Sequence, residues 1–264
     1  MEETNTGASP VAGAGSTLGF GAVFVISKQG DHGRKRAIGA ALDGVGMKYA
    51  FLDATMGNEL SPQQIAGVYD EQAALRHKTI PRRLHASHIG CNLSHRQAYQ
   101  QVAARELKSA LILEDDAMPL PGPLAQLAAA MDELPPDWDL LYLGTRGHRR
   151  APWYFGLKLH LWLPVARLLF PRKYKLRFAE AARLYMRPYS AHLDRAGYHQ
   201  GTHAYAVSRK GARILEANSL PITAPADATI GTLVLEGKLN AFTLRKLAFA
   251  TTGAESQIVS ALEG

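Results

Sequence analysis

An apolar run that ends in three consecutive acids, Leu111-Ile-Leu113 followed by Glu114-Asp115-Asp116, is the feature that most narrows the fold of this 264-residue chain. The apolar residues read as a buried strand. Three adjacent carboxylates raise one another's pKa and are costly unless a cation neutralises them, so the strand must deliver them to an edge where a ligand can reach. The sequence around it supplies the frame. Ala22-Val-Phe-Val-Ile26 reads as a first strand, Arg34 to about Leu42 as a helix ended by Gly44, and Met47–Leu52 as a second strand. Ser61-Pro62 opens a helix with a cap and a proline at its first position. His88 to about Glu106 reads as a long helix whose inward face carries Cys91, His95, Ala98 and Val102. Pro119–Pro123 reads as a loop, Trp138–Leu143 as a strand ended by Gly144, and His203–Val207 as a strand followed by a helix over Arg209–Ala217. Asp227 falls near the start of one more helix, which Gly237 ends.

Strands alternating with helices predict an α/β fold: a Rossmann-like, mainly parallel central sheet with flanking helices. Ligands of such sheets bind beyond the carboxyl ends of the strands, where the acidic triplet stands. Alternate residues of an extended segment point the same way, so Glu114 and Asp116 are expected to face one ligand while Asp115 faces away. Carboxylates as the only protein ligands, completed by substrate phosphates, suit Mg or Mn. The competing reading is a solvated acidic loop that caps the next helix.

Composition excludes a disordered or fibrous chain, with 47% hydrophobic and 20% charged residues. The single cysteine, Cys91, excludes an intramolecular disulfide and a cysteine-rich zinc site, and fits a reducing, cytoplasmic setting. Met1–Gly19 is rich in Gly, Ala, Ser and Thr, without the basic start and apolar stretch of a secretory signal, and reads as a flexible tail before one domain over residues 20–264. The net charge of +7 points to an anionic partner. Much of that charge lies in an insertion at about 148–198, where eleven Lys and Arg residues, Arg149 to Arg195, alternate with Trp153, Tyr154, Phe155, Trp162, Phe170, Tyr174 and Phe178. Leu157–Phe170, its most apolar part, is interrupted by Lys158, His160, Pro164 and Arg167 and is shorter than the ~20 residues of a spanning helix.

Four segments in order carry a family resemblance: Ile89-Gly-Cys-Asn-Leu-Ser-His95, Leu111-Ile-Leu-Glu-Asp-Asp-Ala117, Trp138-Asp-Leu-Leu-Tyr-Leu-Gly144, and Gly201-Thr-His-Ala-Tyr-Ala-Val-Ser208 with Gly211-Ala212. Together they resemble glycosyltransferase family 25, over roughly residues 22–235. The resemblance implies a GT-A fold and an inverting transfer of a hexose, galactose from UDP-galactose, onto a glycan such as a lipopolysaccharide or lipooligosaccharide core. It implies that Glu114 and Asp116 hold a divalent cation, Mn or Mg, against the donor diphosphate. Ser27, Arg34, Ala54, Ser94, His95 and Asp115 fall on its donor side, and Thr202 and His203 near the sugar or acceptor. Asp227, in Pro225-Ala-Asp227, stands where the family places an aspartate and is the candidate base for the attacking hydroxyl. Each has a plainer reading: a helix-start charge for Arg34, a packed imidazole for His95, a strand edge for Thr202-His203, a helix cap for Asp227. Ser27-Lys28 departs from the family's Asn-Leu, which leaves the donor's identity less defined than its class.

For the insertion two readings stand side by side: contact with an anionic membrane surface at the inner face of the membrane, or aromatics packed on the main core. A nucleic-acid-binding module or a metal-dependent phosphoesterase built on the insertion is the alternative function. No helix-turn-helix or single-strand motif supports the first, and no further cluster of acids or histidines in metal-ligand spacing supports the second. Nucleic acid is accordingly not an expected partner.

Overall fold

The computed structural model describes residues 16–147, 149–170 and 175–251. The predicted tail falls outside these up to residue 15. Ser16 is already seated, accepting from the Lys48 N–H and donating to the Gly46 carbonyl.

The first half alternates as predicted: β1 (Ala22–Ser27), α1 (His32–Gly44), β2 (Ala50–Asp53), the short α2 (Pro62–Val68) and α3 (Glu71–Leu75), α4 (Ala86–Ala104) and β3 (Ser109–Glu114). Then come β4 (Ala117–Pro119), α5 (Pro121–Leu124), α6 (Leu127–Asp132) and β5 (Leu140–Arg146). The insertion holds α7 (Phe155–Leu157), a π-helical turn (Lys158–Trp162), α8 (Leu163–Leu169), α9 (Phe178–Ala181), β6 (Arg187–Pro188) and β7 (Leu193–Arg195). The chain closes with β8 (Gln200–Ser208), α10 (Arg209–Ala217), α11 (Ala226–Glu236), β9 (Ala241–Leu244) and β10 (Phe249–Thr251). Local chemistry sets several boundaries. Asp31 caps α1 by accepting from the Arg34 N–H, Ser61 and Gln64 form a reciprocal capping box on α2, and Gly237 ends α11 at φ 73°.

The eight-stranded sheet has the order β2-β1-β3-β8-β5-β9-β7-β6. β2, β1 and β3 pair in parallel, as do β5 and β9, while β8 runs antiparallel between β3 and β5. The main direction of the sheet is therefore parallel, with one long strand reversed at its centre. Strand alternation divides the core. Val23, Val25, Leu111, Leu113, Leu141 and Leu143 pack on one face against Ile38 and Leu42 of α1. Phe24, Ile26, Ile112, Tyr142 and Tyr205 pack on the other, against Ala98 and Val102 of α4, Leu215 of α10 and Leu233 of α11. Each such buried side chain contributes about 1.5–3 kcal/mol. This two-sided burial makes the arrangement α/β and GT-A-like.

Three predicted boundaries move. The second strand begins at Ala50, because Gly46 (φ 66°) turns the chain and Met47 only bridges to Ser16. The predicted loop at Pro119–Pro123 holds the end of β4, which pairs with β10 from the far end of the chain, and then α5. β5 runs through Gly144 instead of stopping there: the strand is irregular at that point, and a Cβ on Gly144 would meet the His203 ring at 2.8 Å.

One ammonium ties the insertion to α11. Lys78 donates to Glu180 of α9 at 2.9 Å and to Glu236 at the end of α11. Burial opposes the charge, yet the two carboxylates hold the lysine above its usual value, and both carboxylates lie below theirs. The carboxylate contribution is present above the unfolded value near 4.5 and is lost as pH falls through the depressed folded values. The ammonium contribution is lost only as pH rises past the lysine's raised value. Lys78→Met is expected to cost about 1–3 kcal/mol of stability at neutral pH by leaving two carboxylates facing each other. Thermal unfolding across pH 3–7 checks this, with the gap between wild type and variant narrowing at the acid end.

Candidate active site

The reversed strand β8 builds the site. Because it runs antiparallel to β3, with Leu113 paired to Ala204, its first residues lie beside the carboxyl end of β3. Thr202 thereby donates its hydroxyl to Glu114 Oε1, and His203 lies alongside. The first turn of α11 closes on the same point: Asp227 Oδ2 accepts from the Gly201 N–H at 2.9 Å, and Oδ1 from the Ala228 N–H at 2.8 Å. A cleft of about 250 Å³ results, with Glu114, Asp116, Thr202, His203 and Asp227 on its walls. Arg82, His88, Cys91 and Arg146 complete much of the lining.

The alternation expected of the acidic triplet is present. Glu114 and Asp116 face the cleft, while Asp115 turns the other way to accept from Ser27 Oγ at 2.8 Å and Arg34 at 2.9 Å. Burial would raise Glu114, but the hydrogen bond and charge of His95, with the Thr202 hydroxyl, outweigh it and hold the acid below its usual value. At Asp116 the opposing pull, from Arg34 and its own backbone N–H, is outweighed. Burial, then the charges of Glu114 and Asp115, push this acid up to about 6, and its buried Oδ1 has no hydrogen-bond partner. Two hard oxygen ligands, one of them an orphaned buried carboxylate oxygen, fit a divalent cation. Cys91 Sγ, a His95 ring nitrogen and a Glu114 oxygen also lie within 4.8 Å of one another. Burial, then the charges of Glu114 and Asp227, push the Cys91 thiol well up.

The other predicted residues form a second group at the ends of β1 and β2. Ser27 and Arg34 are engaged with Asp115, and the Ala54 N–H donates to the Ser27 carbonyl. The Ser94 hydroxyl donates to the Gly90 carbonyl at 2.8 Å and accepts from the Thr55 N–H at 2.9 Å. Gly90 permits this approach, since a Cβ there would sit 2.4 Å from the Thr55 carbonyl oxygen. His95 is buried behind Glu114, with Nε2 at 3.3 Å from the carboxylate and Nδ1 at 2.8 Å from Tyr205 Oη, which meets Tyr99 Oη at 2.9 Å. None of Ser27, Arg34, Ala54, Ser94 or Asp115 lines the cleft; they adjoin it through the Asp115–Asp116 turn. Asp227 stands at the second helical position of α11 after Pro225, and its carboxylate fastens that helix to β8.

Sequence reasoning missed Arg82, His88 and Arg146. Arg82 lies 3.1 Å from His88 Nε2, whose ring is held below its usual pKa by burial and by Arg82, and whose Nδ1 is buried without a partner. A neutral His88 that accepts from Arg82 at Nε2 carries its proton on Nδ1. His203 is likewise held low by burial, with Arg146 pushing the same way against Glu114. The available signal was the basic run Arg82-Arg83-Leu84-His85 just before α4.

An acidic pair and a third carboxylate, flanked by arginines, thus stand at the carboxyl edge of a GT-A-like α/β sheet, where ligands of such folds bind. Residues 20–230 match the family described as glycosyltransferase family 25 (LPS biosynthesis protein), and the chain belongs to that family. Over 133 residues it is 27% identical to human procollagen galactosyltransferase 2, covering 49% of this chain and 21% of the relative. Over 135 residues it is 30% identical to human inactive glycosyltransferase 25 family member 3, covering 50% and 23%. A bovine probable inactive member 3 matches at 30% over 136 residues. The matched regions thus span less than a quarter of these curated relatives.

Asp116→Asn is expected to stabilise the metal-free protein near pH 7, by on the order of 1 kcal/mol once solvent screening is included, because it removes a carboxylate ionised at a cost. The sign follows from the raised value: the folded state favours the protonated acid, so the native carboxylate loses stability as pH rises between about 4 and the value of about 6. The same substitution is expected to abolish any rise in melting temperature on adding Mn, which differential scanning calorimetry with metal and with chelator measures.

Proposed function

We propose that this chain transfers a hexose, galactose from UDP-galactose, with inversion onto a hydroxyl of a glycan such as a lipopolysaccharide or lipooligosaccharide core. The observation that carries the reading is the meeting of Glu114, the orphaned Asp116 and Asp227 in one cleft with Arg82 and Arg146. The family supports the reaction class, and the procollagen galactosyltransferase relatives support the sugar.

Glu114 and Asp116 would hold a divalent cation, Mn or Mg, which when bound supplies positive charge for the donor diphosphate. Arg82 and Arg146 add fixed positive charge where the nucleoside diphosphate departs. His88 lines the same space. Thr202 and His95 keep the Glu114 carboxylate ionised and aimed. Ser27, Arg34, Ala54, Ser94 and Asp115 form the ledge beside the cleft on which the nucleoside end of the donor would rest. Asp227, on the far wall, takes the proton of the acceptor hydroxyl as its oxygen attacks the anomeric carbon from the side opposite the leaving diphosphate. Its two backbone hydrogen bonds leave further lone pairs on both oxygens for that contact. His203, held neutral, lies where it can hydrogen-bond a sugar hydroxyl.

Incubation with a panel of nucleotide sugars, with Mn, with Mg and with chelator, and measurement of nucleotide release, tests the reading without knowledge of the acceptor. Release of UDP from one sugar nucleotide, lost with chelator and in Glu114→Ala and Asp116→Ala, is the expected result. Failure of every nucleotide sugar both to be hydrolysed and to raise the melting temperature with metal present would overturn it. With an acceptor in hand, Asp227→Asn is expected to lower kcat by about 10²–10⁴-fold while donor KM stays near that of wild type.

A further inference from the structure

The insertion departs from the rest of the surface in what it leaves exposed. Among the described residues, ten of the fourteen exposed large hydrophobic side chains lie between positions 153 and 178. Trp153 is 94% exposed, Leu157 63%, Leu161 64% and Leu168 83%. With Val165 these recur every three or four residues through α7, the π-helical turn and α8, the spacing of one helical face. The opposite side is fastened to the protein by buried Leu159 and Ala166 and by the edge contact of Phe155 with Tyr185 at 4.6 Å. Phe155 thus packs within the insertion, on Tyr185, and the outer face is left exposed. A contiguous apolar face of this kind marks an interaction surface.

Its charge narrows the partner. Lys158 and Arg167 are exposed on the same segment with no carboxylate within ion-pair distance among the described residues. Both acids of the insertion are already taken, Glu180 by Lys78 and Asp194 by Arg150 and Arg245. The face offers leucines and tryptophan to an apolar phase, and cations to whatever borders it. That combination matches the headgroup boundary of an anionic bilayer, where tryptophan and apolar side chains enter the interface and lysine and arginine meet phosphate. Fifteen residues from Phe155 to Leu169 reach only about 22 Å as a helix, and no described helix is long and apolar enough to cross a membrane. The segment has the dimensions to lie in the surface.

We propose that the outer face of α7, the π-helical turn and α8 seats the protein on an anionic phospholipid surface. The seat adjoins the cleft by chain connection: β5 brings Arg146 to the cleft and enters the insertion three residues later, and β8 returns at Gln200, under the insertion, with Gly201 already in the cleft. Resting on the transferase reading, this gives the acceptor its class, a glycan carried on a lipid in that surface. The lipid contact itself does not depend on that reading.

Flotation of the full chain with vesicles tests it, using phosphatidylcholine alone and an equal mixture of phosphatidylcholine and phosphatidylglycerol. Expected is flotation with the anionic vesicles only, weakened about tenfold on moving from low to high salt. The double variant Leu161→Asp, Leu168→Asp is expected to bind about tenfold less or weaker while keeping the wild-type melting temperature, since both residues are exposed. Absence of flotation with anionic vesicles, or equal flotation of the double variant, would overturn the proposal. So would sedimentation showing a dimer that the double variant dissociates in a chain that does not float, because the face would then join two copies. Donor hydrolysis by the same preparation keeps the two readings apart. UDP release without flotation removes the lipid seat alone, and flotation with neither UDP release nor a rise in melting temperature on adding any nucleotide sugar with metal removes the transferase alone.

Discussion

The hydrogen bond from Thr202 to Glu114 is the contact on which the site depends, because it joins a fully buried strand to a reversed one. β3 is covered on both faces, and its last carboxylate emerges half-covered at the cleft. Burial alone would raise the Glu114 pKa. The hydroxyl of Thr202 from β8 and the imidazole of His95 from α4 reverse that, and each is available only because β8 runs against β3 and α4 crosses behind it. His95 is in turn fixed by Tyr205 and Tyr99, so the charge at the cleft is settled by a chain of polar groups inside an otherwise apolar core. Asp116, two residues on, lacks this support, and the contrast between the two acids is what suits the pair to a cation.

The alternation of apolar runs and helical stretches, and the placing of the acids at a strand end, were legible in the residues because they depend on local periodicity. The facing of Glu114 and Asp116 away from Asp115 was anticipated from strand alternation, although β3 ends at Glu114 and the two aspartates lie in a turn where Ser27 and Arg34 hold Asp115 aside. Other features depend on contacts remote in sequence. β4 is a strand because β10 lies beside it, 130 to 134 residues later in the chain by the register Phe249↔Pro119 and Ala117↔Thr251. Arg82 reaches the cleft from a loop and Arg146 from the end of β5, two places that no pattern relates, and His88 looks like an ordinary helix-start residue until Arg82 is seen against it. The exposed face of the insertion was equally hidden. Composition showed aromatic and basic residues interleaved, whereas which of them point outward is decided by the seating of Leu159 and Ala166.

The plain reading of a single residue, where the structure bears it out, leaves room for the chemical one. Asp227 fastens α11 to β8 through two backbone N–H groups and also faces the cleft. Ser94 holds the 54–57 loop against α4, beside the group formed by Ser27, Arg34 and Asp115. A residue that anchors backbone at the edge of a cavity is for that reason well held to meet a ligand, so structural employment does not argue against a role at the site.

Helix α11 is gripped at both ends. Asp227 binds it to β8 at the amino end, and Glu236 binds it at the carboxyl end to Lys78, which also grips α9. A rod pinned at two points can neither slide nor rotate without breaking one pin, so the orientation of the Asp227 carboxylate is fixed when the chain folds. Nothing of that orientation is left to be found when a ligand arrives.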